Sequence, residues 1–199
     1  TIPVLYDTYD KLAEKYRSGV KDDDTRLFEY VHSPEVRKSI PERFLPRFSQ
    51  VAFLAQMPHL DFLTEVEKMK GAPLSDADRK EAEERARYAK HWLKVAADEE
   101  FVFTLAEKAV PEGAKTLSEE QKNALKEVLA YVEAHQSLDG QELHTELHEI
   151  RKRRNIEPKA LFGAIYLSFL GKDHGPKVGW FLSVLDRQLI LERLKEVSS

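Results

Sequence analysis

A series of helix starts, each followed by apolar residues at three- and four-residue spacing, constrains this chain more than any other feature. Ser118-Glu-Glu-Gln121 pairs a hydroxyl with an amide three positions on, an arrangement that satisfies free amide donors at a helix N-terminus. Behind it Leu125, Val128, Leu129 and Val132 form one stripe. The pattern recurs. Ser75 with Asp78 opens a helix of about 20 residues, marked by Ala82, Ala86, Ala89, Leu93 and Ala96. Asp139 with Glu142 opens one carrying Leu143, Leu147 and Ile150. Pro158, tolerated in a first turn, opens one carrying Leu161, Phe162, Ile165, Tyr166 and Phe169, and Gly171 stops it. Asp186 opens a last one, with Leu189, Ile190 and Leu194 inward. No β-alternation, repeat or low-complexity tract is present. The pattern predicts an all-α fold, an irregular helical bundle packed ridge into groove.

The first 75 residues are less regular. Tyr6-Asp-Thr-Tyr-Asp10 leads into a short amphipathic segment ended by Gly19. Asp22-Asp-Asp24 reads as a solvated turn, since it lacks the spaced oxygen ligands of a calcium loop. Pro34, Pro41 and Pro46 punctuate the next stretch. Helical spacing returns with Phe48, Val51, Ala52 and Ala55, then with Leu60, Leu63, Val66 and Met69 before Gly71. Phe101 to Leu105 reads either as a short strand or as a buried loop, and Pro111-Glu-Gly113 as a turn. The division predicted is a helical connector over 1–75 and the main helical domain over 76–199.

Composition removes several classes of chemistry. With no cysteine there are no disulfides, thiolate metal sites or thiol nucleophiles, which fits a reducing, cytoplasmic setting. No apolar run reaches the roughly 18 residues a membrane helix needs. Phosphate-binding glycine loops and nucleophile elbows are missing, and carboxylate pairs on helices read as solvated faces. His144-Thr-Glu-Leu-His148 puts two histidines on one helix face, but the glutamate is displaced from the metalloprotease position and no third ligand is near. Packing histidines are the favoured reading.

The net charge of −4 hides an asymmetry. Residues 1–140 hold 21 Lys/Arg against 27 Asp/Glu, whereas 141–199 hold 10 against 8 and 151–187 hold 8 against 3. A local basic face on an acidic protein steers a polyanion to one side. Arg151-Lys-Arg-Arg154 is either a solvated helix end favoured by the helix dipole or a phosphate contact. The loop from Leu170 to Arg187 holds Gly171, Gly175, Pro176 and Gly179 among Lys172, His174 and Lys177, followed by Trp180-Phe181. Aromatic planes and cations are the mixture that reads single-stranded RNA. Phe181 is favoured as a core anchor, and Trp180 is balanced between core and stacking. The first candidates for RNA contact are Lys172, His174, Lys177, Trp180 and Arg187. Arg151, Arg153 and Arg154 come second, for phosphates.

An ordered series of segments resembles the C-terminal end of class I lysyl-tRNA synthetases. Its strongest part is Pro158-Lys-Ala-Leu-Phe-Gly-Ala-Ile-Tyr166, Leu170-Gly-Lys-Asp-His-Gly-Pro176, Phe181-Leu and Arg193-Leu, joined by Asp139-Gly-Gln-Glu-Leu-His144 and Ser118-Glu-Glu-Gln121. Arg87-Tyr-Ala-Lys-His-Trp92 resembles the family's long helix, while Tyr6-Asp-Thr-Tyr-Asp10 and Pro41-Glu-Arg-Phe44 with Gln56 resemble the connector after the catalytic core. The resemblance implies a helix-cage anticodon-binding domain, tRNA as partner, and a parent enzyme that uses ATP to join lysine to tRNA. The H-x-G-H and K-M-S-K-S signatures of the catalytic domain are absent, and Lys68-Met-Lys-Gly71 is not the second of them. No catalytic residue, cofactor or metal is therefore placed on this chain; ATP, with zinc as an option, belongs to the parent's catalytic domain. The missing initiator methionine favours an excised piece. Two rival readings stay open: a helical protein–protein scaffold, supported by the acidic majority and the Ala/Glu/Arg helix at 76–97, and a metallo-hydrolase built on His144 and His148.

Overall fold

The helix starts read from the sequence are closed by side chains. The structure, a computed structural model, describes residues 1–39, 43–57 and 60–199. Ser75 accepts from the Asp78 amide while Asp78 accepts from the Ser75 amide, and Ser118 and Gln121 make the same reciprocal pair. Asp139 accepts from the amides of Gln141 and Glu142, and Asp186 from that of Leu189. The described residues form α-helices and short 3-10 turns, with no strand among them. The chain divides into two compact units, Thr1–Ala97 and Asp98–Ser199.

The first unit holds α1 (Ile2–Arg17), α2 (Asp23–Val31), α3 (Pro34–Ser39), α4 (Phe48–Leu54), α5 (Phe62–Lys70) and α6 (Asp76–Val95). The acidic run expected to be a solvated turn is a helix start instead. Asp22 accepts from the Thr25 amide and Thr25 Oγ1 returns a bond to the Asp22 backbone, so Asp23 and Asp24 lie in the first turn, where the helix dipole favours negative charge. Gly71 ends α5 in the left-handed region. Pro41 lies outside the described residues. Helix α6 packs on α4 and α5, so a boundary after residue 75 falls inside this unit. Its inward stripe is Ala82, Ala86, Ala89 and Trp92, while Leu93 is half-buried and Ala96 exposed. The Trp92 ring meets Phe48 edge-on, and Phe48 stacks on Tyr6 at 4.2 Å.

Two charged side chains are built into this packing. Arg85 is 2% exposed. Its guanidinium donates to both carboxylate oxygens of Asp10 (2.6 and 2.8 Å), to Glu81 (2.7 Å) and to the Pro46 carbonyl (2.8 Å). Asp78 is buried too and accepts from Lys70, from the Phe44 amide and from the Ser75 amide. Burial acts to raise its pKa, but these bonds outweigh it and hold the carboxyl well below the usual range.

The second unit holds α7 (Glu119–Ala134), α8 (Gly140–Arg154), α9 (Pro158–Leu170), α10 (Val178–Val184) and α11 (Arg187–Ser198). Helix α9 carries apolar residues on all sides, as a central helix does, and α7, α8 and α11 pack around it. The core gathers Leu125, Val128, Leu143, Leu147, Ile165, Phe169, Phe181 and Leu194, all without exposure. Phe101 ends a 3-10 turn, and residues 102–105 form a loop and not a strand; the Ala106 amide after it bonds to the Phe169 carbonyl. Arg193 crosses the interior and donates to the carbonyls of Ser168 and Ala106, tying α11 to α9 and to this loop. Helices α8 and α10 touch through Gly140 and Gly179. A methyl added at Gly179 would strike the Gly140 carbonyl oxygen and lie 2.6 Å from His144 Cβ.

Candidate nucleic-acid interface

The loop that joins α9 to α10 is fixed at several points. Gly171 takes the left-handed conformation that ends α9 (φ 67°), and no side chain adopts it as readily. The Tyr166 hydroxyl donates to the Pro176 carbonyl, and burial pushes that hydroxyl's pKa up to about 12. Lys172 Nζ donates to the carbonyls of Glu99 and Val102, so its charge pins the loop to the start of the unit, with the Phe103 ring 5.8 Å away. His174 is exposed and bonds to Asp173 at 2.9 Å. Lys177 is exposed and, among the described residues, donates only to the neutral amide of Gln141, at 3.0 Å.

The other candidates occupy different environments. Arg187 donates to the carbonyls of Val132 (2.9 Å), His135 (3.1 Å) and Glu133 (3.4 Å), and so closes the C-terminus of α7. Trp180 is half-buried, its backbone lying over Gly140, while Phe181 is wholly buried as a core anchor. In the basic run, Arg153 pairs with Glu127 (2.9 Å) and Glu146 (2.8 Å), and Arg154 pairs with the same Glu127. Burial acts to raise the Glu127 pKa, but the two guanidiniums bring it down. Lys152 pairs with Glu149. Arg151 is the member of the run with no ion pair among the described residues, and its Nε has no hydrogen-bond partner. The structure thus leaves the exposed Lys177 and the half-buried Arg151 without an ion pair among the described residues, and gives Lys172, Arg187, Arg153 and Arg154 protein partners.

Sequence reasoning placed Phe162 with the inward stripe of α9, but it is half-buried. Its ring lies 5.4 Å from that of His148 and 6.3 Å from that of His144, and the two histidine rings are 4.7 Å apart. Burial first, then the charge of Lys177 and the neighbouring His148, depress the His144 pKa, and its Nδ1 has no partner among the described residues. Among the described residues no three His, Asp or Glu side chains come together as a metal set, so the pair packs on Phe162 without a third ligand.

A sequence profile described as an anticodon-binding domain matches residues 52–198, from within α4 to the end of α11. The chain belongs to the anticodon-binding domain family. Relatives named lysine–tRNA ligase align along nearly all of this domain. That of Pyrococcus horikoshii is 34% identical over 96% of this chain and 37% of its own length. That of Methanosarcina barkeri strain Fusaro is 32% identical over 98% of this chain and 39% of its own. Thermoplasma volcanium has one 28% identical over 97% and 37%. The anticodon-binding chain therefore spans under two fifths of the length of the curated relatives it matches. Among the described residues of the domain, no helix is long and apolar enough to cross a membrane.

Proposed function

We propose that this chain reads the anticodon of a lysine tRNA, in the cytoplasm, as the anticodon-binding part of a lysine–tRNA ligase. The observation that carries this reading is the alignment of lysine–tRNA ligases along 96–98% of the chain, together with a family profile that covers α6 to α11 in full. The ligation itself, with ATP and any zinc, falls to the portion of the ligase that these relatives have beyond the aligned length. That portion is also the partner for the first unit. Of the eleven exposed large apolar residues among the described ones, all but Val102 lie there, among them Val4 (59% exposed), Leu5 (64%), Leu27 (62%) and Tyr30 (87%). Such a concentration marks an interaction surface. Leu5, Tyr6, Tyr9 and Tyr88 also line a hollow of about 420 Å³ together with the charged Arg43, Glu81, Glu84 and Arg85.

The test is a titration of the chain with a lysine tRNA transcript and a copy with a scrambled anticodon, at two salt concentrations. Preference for the native anticodon at both is the expected result. Equal, steeply salt-dependent binding to the two would reduce the interaction to phosphate attraction and sink the reading.

A further inference from the structure

We infer that the rings of His144, His148 and Phe162, flanked by Lys177 and Arg151, form the stacking face on which this domain receives unpaired RNA bases. The inference rests on the anticodon-binding reading and locates its contact surface. Gln141, His144, His148 and Arg151 follow at intervals of three, four and three residues, so they share one face of α8. This face borders the buried stripe of Leu143, Leu147 and Ile150, and the four side chains on it keep solvent exposure. Phe162 extends it from α9, and Lys177 closes it from the loop through its bond to Gln141. The His148 ring stands nearly perpendicular to both its neighbours (85° each), while His144 and Phe162 lie within 31° of parallel. Three half-buried rings in contact give bases flat surfaces whose orientation is already set.

Charge separates this face from the rest of the basic region. Arg153, Arg154 and Lys152 are each neutralised by Glu127, Glu146 or Glu149, and RNA would have to displace those carboxylates. Lys177 and Arg151 have no acidic partner among the described residues; Lys177 reaches this face through Gln141, and Arg151 lies one turn along it from His148. Glu149 interacts with His148, and its charge is already held by Lys152. Aromatic planes next to unneutralised cations suit a single strand, whose bases stack while its phosphates are held. A surface for an acidic protein would not call for the three rings.

The experiment compares the chain with Phe162→Leu, His148→Gln and Arg153→Gln, against the lysine tRNA transcript and against a short single-stranded RNA of the anticodon-loop sequence. Phe162→Leu and His148→Gln keep bulk but remove a ring. Each should weaken binding to both RNAs about five-fold or more, with the melting temperature unchanged, while Arg153→Gln should bind as the parent does. Parent-like affinity in both ring variants would overturn the stacking face and leave the anticodon-binding reading intact. If Phe162→Leu loses its fold, His148→Gln decides. Failure of the unaltered chain to bind either RNA would overturn both.

Discussion

At Arg85 a full charge sits inside the first unit because four acceptors surround it. Removing the guanidinium leaves the largely buried Asp10 without this partner and Glu81 with Arg43 alone. Arg85→Ala should therefore cost about 3 kcal/mol, seen as a lower denaturant midpoint for the first unit. Asp78 makes a pH-dependent contribution. Its folded pKa lies below the unfolded value of about 3.9, so its bonds stabilise the fold above that pH and are lost as the pH falls through the folded value. Acid titration of the parent chain should show stability declining below about pH 4. Asp78→Asn should be less stable at neutral pH and lose part of that slope. Arg151 and Lys177 make a third case. If each holds one phosphate, replacing either by Gln should reduce the slope of log K against log salt by about 0.7, whereas Arg154→Gln should leave it as it was.

At the scale of the element, the sequence carried most of what the structure contains. Starts at Ser75, Ser118, Asp139 and Asp186 were legible because a cap and the amide it satisfies are only two or three residues apart. Helix α2 was not, since Asp22-Asp-Asp24 fits a solvated turn as well as a cap, and what settles it is Phe28 burying against Ala13 of α1. The candidate surface was less legible for a related reason. Lysine and arginine in a row look alike in sequence; only distant residues decide which are taken. Glu127 lies 26 positions from Arg153, and the Val132 carbonyl 55 from Arg187. Phe162 hid in a helix that is apolar all round, where periodicity carries no direction. The cap that Arg187 supplies gives a prediction at this scale. Arg187→Ala should destabilise the second unit by about 1–2 kcal/mol without weakening tRNA binding. A loss of affinity at unchanged melting temperature would return Arg187 to the RNA surface.

For the whole molecule, the two units divide the character of the surface between them. Exposed apolar side chains gather in Thr1–Ala97, and the unneutralised Arg151 and Lys177 lie in Asp98–Ser199. A chain arranged this way should self-associate or adsorb through the first unit when the remainder of a ligase is absent. Light scattering should rise with concentration, and Leu5→Lys with Tyr30→Lys should suppress it while affinity for tRNA stays the same. The contact of Gly140 with Gly179 has a different consequence, for time course. Because α8 and α10 meet backbone to backbone, the helix bearing His144 and His148 and the loop end bearing Lys177 have no clearance in which to slide past each other. The groups proposed to face RNA are in position before any ligand arrives. Stopped-flow association should then follow a single exponential whose rate climbs linearly with RNA concentration, free of a slow isomerisation step. Gly179→Ala should force the helices apart and introduce such a step.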